Sequence, residues 1–151
     1  MALPQIPTTA EVKARVVLRP EQIDPLYGGV GATLTQANTA YEADIASRIV
    51  VQTAIAEITL GQWFTEAEIT AFTGNKATVS EEAVLLLTLG SLLKSGGQLS
   101  DTYEKEGDAK TAEGMALLMA LGNAKSDTTT LELGTLIAPR THGGTMDILW
   151  P

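Results

Sequence analysis

The sequence predicts a mainly α protein: a small bundle of four to five helices with extended N- and C-terminal arms. Three observations carry that prediction. No Gly or Pro interrupts the chain between Gly31 and Gly61, a stretch long enough for a helix of many turns. Thr65-Glu66-Ala67-Glu68 and Thr78-Val79-Ser80-Glu81 have the form of capping boxes, in which hydroxyl and carboxylate each take an orphan N–H at a helix start. The apolar residues between these signals recur at three- and four-residue steps, the period of one helix face.

The elements follow in chain order. Pro4 and Pro7 hold the start extended. Val12, Ala14, Val16 and Leu18 then alternate with Glu11, Lys13, Arg15 and Val17, and period-two spacing predicts a short strand or a one-sided extended arm over residues 1–19. Arg19-Pro20-Glu21 fits a helix start with Pro in the first turn, which Pro25 and Gly28-Gly29-Val30-Gly31 should soon end. The core domain, residues 20–125, is dominated by a long helix from about Thr33 to Leu60. Its face is Leu34, Ala37, Tyr41, Ile45 and Ile49, continued on a rotated stripe by Val51, Ile55 and Ile58. Asp44 and Arg48 stand one turn apart and can pair.

The box at Thr65 predicts a short helix to about Phe72, stopped by Gly74-Asn75. The box at Thr78 opens a helix with Leu85, Leu89, Leu92 and Leu93 on one face and Val84, Leu86 and Leu87 widening it, ended by Gly96-Gly97. Because it is apolar nearly all round, it should be central. The last helix should start at Ser100 or Asp101 and end near Leu121, capped by Gly122-Asn123. Tyr103, Gly107, Thr111, Gly114, Leu118 and Leu121 share one of its faces. Two glycines on one stripe permit close approach of another helix, so Tyr103, Gly107, Gly114 and Leu118 are candidates for subunit packing; a break at Gly107 is the alternative.

Residues 126–151 form the predicted C-terminal arm. They carry Leu131, Leu133, Leu136, Ile137, Met146, Ile148, Leu149 and Trp150 among three glycines and two prolines. A segment that never orders is normally poor in such side chains, so this arm should lie on a surface. Leu131, Leu133, Leu136, Ile137, Ile148, Leu149 and Trp150 are the candidate partner-binding residues. Leu131-Glu132-Leu133 could add a strand to a sheet edge, and Trp150 suits an interface anchor.

Composition narrows the function. Charged residues make up 19% of the chain, against about a quarter in an average soluble domain, which suggests a surface partly covered by partners. The net charge is −8, and the ten basic residues never cluster, so direct binding of nucleic acid is disfavoured. An acidic wall past which DNA slides is compatible with that charge. With no cysteine, disulfides, thiolate catalysis and Cys-ligated metals drop out. No apolar run approaches the roughly 20 residues that span a bilayer, and the N-terminus lacks a signal peptide's basic start.

No constellation for catalysis stands out. His142 is the sole histidine, without a second His or a Cys to complete a zinc site and without a nucleophile to pair with Asp147. The acidic pairs Glu66/Glu68 and Glu81/Glu82 fall in helix first turns, where carboxylates favour the positive dipole end. Gly28-Gly29-Val30-Gly31 lacks the Lys-Ser/Thr of a P-loop and the spacing of a dinucleotide loop. The expectation is therefore a non-enzymatic protein without cofactor or metal.

Ala43-Asp44-Ile45-Ala46-Ser47-Arg48-Ile49 lies in a long helix, and Phe64 to Phe72 spans a short one. The leucine-rich Val84 to Lys94 is closed by Gly96-Gly97. Tyr103-Glu104-Lys105-Glu106-Gly107-Asp108-Ala109 then leads into Met115-Ala116-Leu117-Leu118-Met119-Ala120-Leu121-Gly122. Over about Thr33 to Gly122, this order is similar to the head–tail connector (adaptor) proteins of long-tailed bacteriophages. The resemblance implies a small α-helical virion protein of the neck, assembled in the host cytoplasm into a ring of twelve. Such a ring sits between the portal protein and the stopper or tail-completion proteins, with DNA only as passing cargo, no membrane and no catalysis. Both terminal arms are longer than the family leads one to expect. Two other readings stay open: a monomeric helical binding or regulatory domain with its tail folded back, and a stopper or tail-completion protein, which would be β-rich.

Overall fold

A computed structural model describes residues 2–16, 18–96 and 100–141, with the side chains of Pro20 and 127–141 excepted. Among the described residues there are six helices: α1 (Thr9–Arg15), α2 (Pro20–Tyr27), α3 (Leu34–Leu60), α4 (Glu66–Thr70), α5 (Asn75–Ser95) and α6 (Asp101–Thr141). Among the described residues there is no strand, so the chain is mainly α as its capping signals and period predict.

The start of the chain departs from expectation. Where alternation predicted a strand or arm, Thr9–Arg15 is a helix, opened by a capping box in which the Glu11 N–H donates to the Thr8 hydroxyl and the Thr8 N–H to the Glu11 carboxylate. The hydroxyl and amide of Thr8 hold the Glu11 carboxyl below the usual range. α1 packs on α3 and α5, which leaves Val12 fully buried. Ala2 and Leu3 are also core residues, pinned where their N–H groups donate to Glu57 Oε1 at 2.6 and 3.0 Å. Residues 2–16 thus belong to the core domain. In α2, Pro25 sits within the helix, which runs on to Tyr27; in so short a helix a proline forfeits one bond without breaking a longer ladder.

α3 matches its prediction at both ends. Thr33 caps it in a box with Gln36, and Gly61 follows its last turn. Ala37, Tyr41, Ile45 and Ile49 are buried, together with Thr53 and Ala56, while Leu34 is exposed. Asp44 and Arg48 do pair, at 3.0 Å. The pair is half-buried rather than solvent-facing: Tyr27 donates to Asp44 Oδ2, and Arg48 Nη1 donates to Ser91 O and Oγ, tying α2, α3 and α5 together. Burial and the Asp44 hydrogen bond raise the Tyr27 phenol far above its ordinary value. Burial first, then Asp44, pushes Tyr41 up to about 12.

α4 opens on the Thr65/Glu68 box. α5 begins one turn before the expected Thr78, after Gly74 at φ +55°, a left-handed conformation that glycine tolerates best. The Thr78 hydroxyl instead donates back to Gly74 O. α5 is the central element: Ala77, Ser80, Ala83 to Gly90 and Leu92 are all buried. Its two sides feed two core clusters, one around Leu60, Phe64, Val84, Leu87 and Leu118, the other around Tyr41, Ile45, Leu85, Leu86 and Leu89.

α6 runs well beyond its predicted stop. Gly122-Asn123 does not cap it, nor does Gly107 break it, and the backbone stays helical to Thr141. The segment expected to be an extended arm from Ser126 is thus helical over its first part. No proline interrupts α6 before Pro139, and each residue added to an existing helix forms one more hydrogen bond without a new nucleation step. Gly122 has a packing role: a Cβ there would run into the Trp63 ring.

Candidate assembly interface

The four residues expected to pack subunits together are used inside the chain. Gly107 lies against α5, where an added Cβ would come 2.8 Å from Gly90 O and 3.0 Å from Lys94 N. At Gly114 it would meet Ala83 O at 3.0 Å. Leu118 is fully buried, and the Tyr103 hydroxyl accepts from Gln22 Nε2 at 2.5 Å. The glycine stripe does permit the close helix approach its spacing predicts, but the neighbour is α5 of the same chain. Gly107, Gly114 and Leu118 are thus packed within the chain, and Tyr103 is half-buried.

The candidate partner-binding residues Leu131, Leu133, Leu136 and Ile137 fall in the backbone of α6, and their side chains lie outside the described part of the molecule. Ile148, Leu149 and Trp150 lie outside the described residues altogether, as do His142 and Asp147.

The free apolar surface is on α3 instead. Val50, Val51, Ile55 and Ile58 are 58, 52, 40 and 75% exposed. Three of these form the rotated stripe of the sequence pattern; the stripe is real, but it faces outward rather than continuing the core. Ala40, Ala43, Ser47 and Ala54 are exposed along the same face, so from Ala40 to Ile58 its centre carries no charge. The charges at its edges are engaged within the chain. Asp44 and Arg48 hold each other, and Glu57 accepts the two N-terminal amides. At the C-terminal end of the stripe a shallow groove runs toward α4, lined by Ala2, Ala54, Ile58 and Ile69 together with Glu57 and Glu66.

Val50, Val51, Ile55 and Ile58 thus leave an apolar patch open to solvent on a chain of net charge −8, and patches of this kind are enriched at interaction surfaces. Sequence reasoning found the residues and misjudged their side. The available signal was the turn of the stripe away from Ile45 and Ile49, since one helix cannot bury two faces this far apart against a single layer.

Elsewhere the polar clusters are structural. The Lys125 ammonium stands over the Phe64 ring at 4.8 Å and pairs with Glu68 at 2.6 Å, fastening α6 to α4. That hydrogen bond, with those from Thr65, pulls the Glu68 carboxyl down to about 2 from an ordinary 4.5. Because the folded value is the lower one, the contribution is present above about pH 4.5 and is lost as pH falls toward 2. The thermal midpoint of the native chain should therefore fall more steeply across that window than that of a Glu68→Gln variant; parallel curves would contradict the linkage. Among the described residues no group of three or more Asp, Glu or His could hold a metal, and no helix is long and apolar enough to cross a membrane.

No protein-family model, curated protein or solved structure matches the chain.

Proposed function

We propose that this protein is a structural subunit of a bacteriophage neck, a head–tail connector (adaptor) that assembles into a ring between portal and tail-completion proteins, around the DNA channel. The observation that carries the reading is the uncharged apolar face of α3, with Val50, Val51, Ile55 and Ile58 turned to solvent. Its chemistry suits assembly, since burying it leaves no charge stranded. The resemblance over Thr33 to Gly122 supplies the place of assembly. A mainly helical fold also suits an adaptor better than a β-rich stopper. A net charge of −8 keeps passing DNA from adhering to the wall.

In this reading the subunit has a scaffolding role and carries no chemistry. α5 and its close partner α6 make a stiff wedge, and the C-terminal part of the chain, with Leu131 to Ile137 and Ile148 to Trp150, reaches the portal or the tail-completion protein. Gold-labelled antibody against the chain, applied to intact tailed particles that contain it, should decorate a single collar between head and tail. Label along the tail shaft or over the head shell, or no label on particles at all, would overturn the proposal.

A further inference from the structure

The outward face of α6 differs from that of α3 in a complementary sense. Ala109, Ala112, Ala116, Ala120 and Asn123 are exposed and succeed one another at steps of three and four. Met119 stands beside them, 49% exposed. Glu113, at the margin, is paired with Lys110 at 3.1 Å. α6 therefore presents a low, smooth, uncharged strip, whereas α3 presents β-branched side chains that protrude. The two strips sit on different helices flanking α5, so they are separate surfaces of one wedge.

Three properties match. Both strips advance by steps of three and four residues, close to the 3.5-residue repeat that keeps two helices in register over several turns. Both are about 20–30 Å long at 1.5 Å per residue. One is knobbed by Val50, Val51, Ile55 and Ile58 where the other is cut down to alanine, which allows axes to approach to about 8–10 Å. A symmetric α3–α3 pair would close after two copies and leave the α6 strip in water. Contact of α3 with a neighbour's α6 uses both strips and is heterologous, the kind of contact that generates rings or open helices.

We infer that the occupant of the α3 face is a second copy of this chain, which seats it on the Ala109–Asn123 strip of its α6. The inference deepens the neck proposal, resting on it only for closure of the ring.

Because the chain contains no cysteine, disulfide trapping is clean. Full-length Val51→Cys and Ala116→Cys variants, one of them isotope-labelled, would be mixed at high concentration, oxidised and mapped as non-reduced peptides. Both positions lie near the middle of their strips, so either helix orientation brings them near the roughly 5.5–6 Å Cα separation a disulfide prefers. The expected result is a several-fold excess of the mixed Val51–Ala116 cross-link over either symmetric one, abolished by adding Ile58→Glu. A dominant Val51–Val51 link, or no link above that of a Gly29→Cys control, overturns the contact. Circular dichroism checks that each variant folds, with Ile58→Cys and Ala112→Cys as the replacement pair should one fail. The doubly substituted Val51→Cys/Ala116→Cys chain separates the two ideas. A ladder that ends in a closed species supports both contact and ring, whereas an endless ladder keeps the contact and removes the ring.

Discussion

Gly107→Ala should lower the stability of the fold by about 1–3 kcal/mol, although the same change in an open helix raises it by about 1 kcal/mol. The sign inverts because of what lies opposite. A methyl at Gly107 would sit 2.8 Å from Gly90 O and 3.0 Å from Lys94 N, both backbone atoms of α5. A flexible side chain could swing aside; the α5 backbone cannot move without opening the α5–α6 contact along its length. Gly90 is the reciprocal case, since its own added Cβ would come 2.8 Å from Gly107 O and still closer to the Thr111 hydroxyl. Chemical denaturation should show Gly90→Ala and Gly107→Ala each losing stability, and the pair together losing less than the sum, because both relieve into the same widened gap. Gly29→Ala, with nothing within 4 Å, should stay within about 0.5 kcal/mol of the native chain. Stabilisation by Gly107→Ala would mean that α5 and α6 do not pack as described.

Leu118→Ala should cost about 2–5 kcal/mol, the transfer of a buried isobutyl group plus the cavity it leaves. Leu118 has no exposed surface and belongs to the cluster that includes Leu60, Phe64, Val84 and Leu87. Residues from α3, α5 and the segment before α4 meet there around one side chain of α6. At about 2–4 °C per kcal/mol for a chain of this size, the thermal midpoint should drop by several degrees at least. The exposed Met119, one residue on, provides the contrast: Met119→Ala should change the isolated subunit little. Equal effects at 118 and 119 would place the buried face of α6 elsewhere.

What could be read in the sequence was mostly local. Thr33 with Gln36, and Thr65 with Glu68, announce helix starts because each cap forms between residues three apart, whatever the rest of the fold does. The same signal was present at Thr8 and Glu11 and would have identified α1; it lost to the alternation of Val12, Ala14 and Val16, which a helix packed on two neighbours can also carry. The start of α5 shows the converse. Thr78 and Glu81 have the spacing of a box, but Gly74 supplies the left-handed turn one step earlier.

The remaining errors concern partners distant in sequence. Gly107 and Gly114 signalled a close approach without saying to which helix. Gly122 passed for a cap because nothing near it in sequence points to Trp63. Val51, Ile55 and Ile58 were recognisable as a stripe, but whether a stripe faces core or solvent depends on how many layers cover the helix. For the arm, the glycines and prolines after Ser126 suggested irregular chain, whereas an established helix propagates to Thr141 despite Gly134 and Pro139.

The central claim is that this domain is a building block whose free apolar face is covered by its own kind. Native mass spectrometry of the purified full chain across a rising concentration series tests it most directly. The account predicts that the 15.9 kDa monomer gives way to one closed species, a fixed multiple near twelve, and that Val51→Glu keeps the chain folded but monomeric. A native chain that stays monomeric up to millimolar concentration, or stops at a dimer, would contradict it.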